Sequence, residues 1–207
     1  MKTVRHLCDA FTAARLAAVA ALFFAAGFMP ASSHAQSLPQ TNAQEQDAPA
    51  LDARDIPAQT LFTQAVTLER ESPERAIARY DEIMQRFGRA PTPGSRQFAA
   101  RALLNKGGIL GRQGNDKEAV ITYERIERNF GNEKTPAIRE VLASALVSKA
   151  EVFYKQRNAE KALAAYARLD EQFSTDDNDF IKRLIDITRW RVTEIQINDK
   201  VSLSSIQ

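Results

Sequence analysis

Thiols, imidazoles and clustered carboxylates are the side chains with which this chain could do covalent or metal chemistry, and they are unevenly placed. The single cysteine, Cys8, and both histidines, His6 and His34, fall within the first 35 residues. Beyond them the available groups are carboxylates. Glu151 and Glu194 could serve as an acid and base pair, and Asp176, Asp177 and Asp179 could supply oxygens to calcium. Acid–base catalysis needs a nucleophile or oxyanion donor converging on the same point, and the sequence gathers none. Calcium needs roughly six to eight oxygen ligands, whereas a lone acidic run before a helix reads as a cap. The chain is therefore expected to be no enzyme, with no metal and no cofactor.

The first 35 residues form a separate element. Lys2, Arg5 and Arg15 precede the apolar run Leu16 to Met29, and Pro30 leads to Ser33-His34-Ala35. A basic start, an apolar middle and a small residue two places before a final Ala make a secretory signal peptide, with cleavage expected after Ala35. The 14-residue run is shorter than the about 20 residues of a bilayer-spanning helix. Cleavage removes Cys8, His6 and His34, which excludes disulfides, thiol nucleophiles, Cys/His zinc sites and imidazole triads. Removing Lys2, Arg5, Arg15 and Asp9 from the 28 basic and 26 acidic residues leaves 25 of each. A secreted or periplasmic chain with no net charge gives no electrostatic case for nucleic acid. Residues 36–55, rich in Gln, Pro, Ala and acids and without apolar periodicity, are expected to be a flexible linker.

The rest of the chain repeats. AVITYERIERNF (Ala119 to Phe130) recurs 43 residues earlier as AIARYDEIMQRF and 43 later as ALAAYARLDEQF. The matched positions are Ala76/Ala119/Ala162, Tyr80/Tyr123/Tyr166, Ile83/Ile126/Leu169 and Phe87/Phe130/Phe173. Separations of four, three and four place them on one helix face, and that face is expected to be core. A preceding helix repeats as well. Phe98, Ala102, Leu103, Gly107 and Leu110 match Val141, Ala145, Leu146, Ala150 and Phe153, and they match Ile56, Thr60, Leu61, Ala65 and Leu68 once one turn residue is deleted. Small residues at Ala65, Gly107 and Ala150 allow close helix approach, while Ser72, Asn115 and Asn158 are placed as N-caps. Lys106 and Lys149 also repeat, as stems running over apolar surface to water. A seventh helix, Asp179 to about Ile197, is capped by Thr175, Asp176 or Asp177 and closes the array. Residues 198–207 are expected to be a frayed tail.

The motif ALLNKGGILGRQGNDKEAVITYERIERNF resembles the tetratricopeptide repeat, over about Ile56 to Ile197 and with a period longer than the family's about 34 residues. The resemblance implies an all-α fold, a short α-solenoid of three helical hairpins with a C-terminal capping helix. It further implies that the first helix of each hairpin lines a concave groove holding a protein or peptide segment. Carried over, the groove positions are Gln59, Phe62, Val66 and Glu69, then Arg101, Leu104, Gly108, Gly111 and Arg112. Ser144, Val147, Glu151, Tyr154 and Lys155 follow, with Trp190 and Glu194 from the last helix. The partner-binding set is Phe62, Arg101, Leu104, Val147, Glu151, Tyr154 and Trp190, with Phe62, Leu104, Val147 and Trp190 as an apolar ladder. Such a scaffold belongs in a cell-envelope assembly and touches a membrane only through its partners, with no small-molecule substrate. The alternative is a self-associating module, because the uncovered ends of a short stack tend to find each other.

Overall fold

The computed structural model describes residues 53–204, with side chains to Asn198. The expected signal peptide and most of the expected linker lie outside the described residues. A 3₁₀ turn, Ala53–Asp55, leads into seven α-helices: α1 Ile56–Glu71, α2 Pro73–Phe87, α3 Pro93–Arg112, α4 Asp116–Phe130, α5 Pro136–Lys155, α6 Ala159–Phe173 and α7 Asp179–Ser204. No strand occurs among the described residues. Proline sits in the first turn of α1, α2, α3 and α5, where its missing N–H leaves no hydrogen bond unmade. The α3–α4 and α5–α6 turns each contain a left-handed residue, Gly114 (φ 80°) and Arg157 (φ 58°), at equivalent places in the period. The α1–α2 turn, two residues shorter, passes through Ser72 without one.

Three boundaries differ from the sequence expectation. Asp55 is only 4% exposed and belongs to the fold rather than to the linker. Its Oδ1 accepts from the Ser95 amide (2.8 Å), the Ser95 hydroxyl (2.6 Å) and the Thr92 hydroxyl, so it caps the start of α3 from outside that helix. Helix α7 continues past Ile197 to Ser204, since nothing in the following stretch is Gly or Pro to stop it. Its cap is Asn178, whose Oδ1 accepts from the Phe180 and Ile181 amides at 2.9 and 3.1 Å. Asp176 is engaged elsewhere, by Arg139. Of the hairpin caps only Asn158 acts through its side chain, accepting from the Lys161 amide at 3.0 Å; Ser72 and Asn115 do not.

The repeated positions are core except Phe87, which is only partly buried at the end of α2. Ala76, Tyr80 and Ile83 of α2, Ala119, Tyr123, Ile126 and Phe130 of α4, and Ala162, Tyr166, Leu169 and Phe173 of α6 are all buried. Gly107 is there for Tyr123: a Cβ on it would lie 2.4 Å from the ring, so only glycine lets the phenol cross α3 at that depth. In α1, Ile56 and Thr60 are exposed where their counterparts Phe98, Val141, Ala102 and Ala145 are buried, because among the described residues no hairpin precedes α1 to cover them.

Each helix packs on its neighbours in sequence, and α1, α3, α5 and α7 also touch one another in turn. The backbones of α2, α4 and α6 do not pack on one another, although Arg168 of α6 reaches Glu127 of α4 at 3.1 Å. Ion pairs reinforce the succession at the same period as the core. Arg96 pairs with Glu133 at 2.9 Å, and 43 residues on Arg139 pairs with Asp176. Lys106 and Lys149 do not run out to water; they bind Asp81 (2.7 Å) and Glu127 (2.6 Å) of the preceding helices α2 and α4. The carboxylates beside those helices draw the ammonium groups in. No described helix is long and apolar enough to cross a membrane.

Candidate protein-binding face

The line of contact among α1, α3, α5 and α7 is where the residues singled out from the sequence gather. They form two clusters. At one end the guanidinium of Arg101 stacks on the ring of Phe62 (5.1 Å), which itself packs against Tyr80 (5.9 Å) and Phe98 (5.7 Å). Phe62 is 8% exposed, so it joins the core beneath Arg101 instead of standing open as a rung of the ladder. Burial lowers the Arg101 pKa, partly offset by the charge of Glu140. Among the described residues the Arg101 guanidinium donates no hydrogen bond, and its partners are the Phe62 ring and that distant charge.

Beside this cluster a hydrogen-bonded set ties α1, α2 and α3 together. The Tyr80 hydroxyl donates to Glu69 Oε1 (2.6 Å), and Asn105 Nδ2 donates to both that oxygen and the Tyr80 oxygen (3.1 Å each). Arg112 reaches Glu69 Oε2 at 3.4 Å from a mostly exposed position. Burial raises the Tyr80 pKa, and the Glu69 carboxylate raises it further. Leu104 and Val147 follow along the line, half-buried, and Val147 packs against both apolar clusters of the molecule. Gly108 has only Arg112 within reach of a Cβ, at 3.4 Å, which leaves room over α3.

The second cluster centres on a residue the sequence reading passed over, Arg191. Its Nε reaches Glu151 Oε1 at 3.3 Å and its Nη1 reaches Glu194 Oε2 at 2.6 Å. The same guanidinium lies over Tyr154 (5.0 Å) and over Trp190 (5.4 Å), while Glu151 also accepts from the Tyr166 hydroxyl. Burial opposes the Arg191 cation, but Glu151 and Glu194 outweigh it and hold the pKa above the ordinary value. Glu151, Tyr154, Glu194 and Trp190 thus converge on one buried cation. The readable sign was a charged residue on the buried stripe Ile181, Leu184, Thr188, Ile195 of α7. Trp190, on the other side of that helix, is 60% exposed. Lys155 turns away from the cluster to Gly111 O (3.3 Å) and Asp116 (3.2 Å).

Chemically, this face offers an exposed indole stacked on Arg191, an arginine without a hydrogen-bonded acid, and carboxylates already committed to tyrosines and arginines. That combination suits recognition of a surface by stacking and charge. The chain matches no family model, no curated protein and no solved structure.

Proposed function

We propose that this chain is an exported, non-enzymatic scaffold, a short tetratricopeptide-like solenoid of three hairpins and a terminal helix. In this reading a protein segment lies along the concave side formed by α1, α3, α5 and α7, within a cell-envelope assembly. The observation that carries the reading is Trp190. An indole 60% exposed is costly to leave in water, and here Arg191 holds it in place from a buried seat. An aromatic side chain ordered before its partner arrives loses little entropy on binding, which is the condition of an interface hot spot. Arg101 at the other end supplies a cation for an acid on the same segment. The test is recovery of partners from cells carrying Trp190→Ala or Leu104→Ala. Loss of a discrete partner with the fold retained supports the reading, and unchanged partners with the fold retained sink it.

A second reading, self-association, is favoured by one observation. Ile187, Trp190 and Ile197 of α7 are 51%, 60% and 56% exposed and share one side of the helix, opposite its buried stripe. Sedimentation that finds only monomer across micromolar concentrations removes this reading and leaves the first.

A further inference from the structure

We propose that the cleft between the α2–α3 corner and the C-terminal end of α4 is an anion site for a compact phosphate-bearing ligand, separate from the face that carries Trp190. The cleft has a volume of about 790 Å³. Arg54, Arg86, Arg89, Arg125 and Arg128 line it, and no Asp, Glu or Lys does among the described residues. In a mature chain whose charges balance, five guanidinium groups around one concavity are a local concentration that needs a cause.

The repeat does not supply that cause, and helix ends supply it only in part. Positions that packing requires recur every 43 residues, but Arg86 is followed by Asn129 and Gln172, Arg89 by Asn132 and Thr175, and Arg128 by Glu171. Arg125 is followed by Arg168, which is paired with Glu127, whereas Arg125 itself has no ion pair among the described residues. A cation in the last turn of a helix is favoured by the dipole, and this accounts for Arg86 and Arg128. It does not account for Arg89 in the loop or Arg125 further back. The guanidinium groups of Arg89, Arg125 and Arg128 donate no hydrogen bond among the described residues. The nearby acids are occupied: Glu82 by Arg79 and Arg86, and Asp55 by Thr92 and Ser95.

The class of ligand follows from shape and donors. The arginines come from three chain segments and surround a space within the roughly 300–1,000 Å³ of small-ligand sites, so they converge on a compact anion. Guanidinium forks match the paired oxygens of phosphate. Phe87, the one ring in the lining, is covered by Arg86 at 5.2 Å, and Met84, Ala90 and Pro91 are the other apolar side chains there, so the arginines set the class of ligand.

Titration calorimetry of the whole chain with tripolyphosphate, at about 50 mM salt so that screening is weak, tests this directly. Wild type is expected to bind, and R125Q/R128Q to bind about tenfold more weakly or worse, as loss of two charge-assisted contacts requires. R183Q/R189Q, on α7, is expected to match wild type. If R125Q/R128Q fails to fold by circular dichroism, R89Q in the loop is expected to weaken binding without that complication. Co-sedimentation with phosphatidylcholine vesicles holding roughly 30% phosphatidylglycerol separates the sources. Vesicle binding lost in R125Q/R128Q identifies a lipid headgroup, and tripolyphosphate binding without vesicle binding identifies a soluble phosphate. The proposal is overturned by a wild type that binds neither, by a variant that binds as well as wild type, or by polyglutamate binding as tightly as tripolyphosphate.

Discussion

The three repeated tyrosines are alike in packing and different in what their hydroxyls hold. Tyr80 and Tyr166 donate to Glu69 and Glu151, while Tyr123 has Ser148 as its polar neighbour. Burial is the main force raising all three pKa values, and it pushes Tyr123 up to about 12. A phenol whose folded pKa exceeds its unfolded value, about 10, favours the folded state below that value and loses its contribution as pH rises toward the folded value. Alkaline titration is therefore expected to show the tyrosinate band of these residues arriving together with loss of helix, above pH ~10. Smooth ionisation of all tyrosines near 10 with the helix signal intact contradicts their burial. Arg191 is the other residue on which much depends. Arg191→Met keeps the volume but leaves Glu151 and Glu194 without their cation, and thermal unfolding is expected to show a loss of about 1–3 kcal/mol. Double-mutant analysis with Glu151→Gln should recover part of it.

At the scale of elements, turn geometry is the most exposed part of the account. Arg157 holds a left-handed conformation that an L side chain adopts at a cost of about 1–2 kcal/mol, and Gly114 holds its equivalent with less strain. Arg157→Gly is expected to raise stability by up to about 1 kcal/mol, and Gly114→Ala to lower it by about 1 kcal/mol, measured by denaturant unfolding. These turns also mark what the sequence made legible. The period, the helix pairs and the buried Ala, Tyr and aliphatic positions could be read because a helix face that packs the same way three times must repeat its small and large residues. Caps were less readable: Asn178 and Asp176 both suit a helix start, and only the presence of Arg139 beside Asp176 decides between them. The binding face was harder still. Phe62 fits an open rung by spacing, yet Arg101 folds over it, and Arg191 finds Glu151 from 40 residues away. Contacts of that reach follow from how hairpins stack, which local periodicity does not encode.

Across the whole molecule, the Arg96–Glu133 and Arg139–Asp176 pairs act at the same step of successive units. Burial works against the Asp176 carboxylate, but the Asn178 amide and Arg139 outweigh it and lower its pKa. Its stabilising contribution is therefore present above the unfolded value of about 3.9 and disappears as pH falls through the lowered folded value. Asp176→Asn is expected to flatten the acid limb of stability below pH ~4, with little change in its shape above that. An unchanged acid limb removes Asp176 from the succession of clamps. The central claim is that function lies along α1, α3, α5 and α7, whose residues differ between units, while the opposite helices repeat for packing. Photocrosslinking in cells tests it most directly, with the reactive side chain placed at Leu104 or Trp190 on that face and at Ile121 or Gln172 on α4 and α6. The account predicts one discrete protein adduct from Leu104 and Trp190 and none from Ile121 or Gln172; adducts from Ile121 or Gln172 alone contradict it.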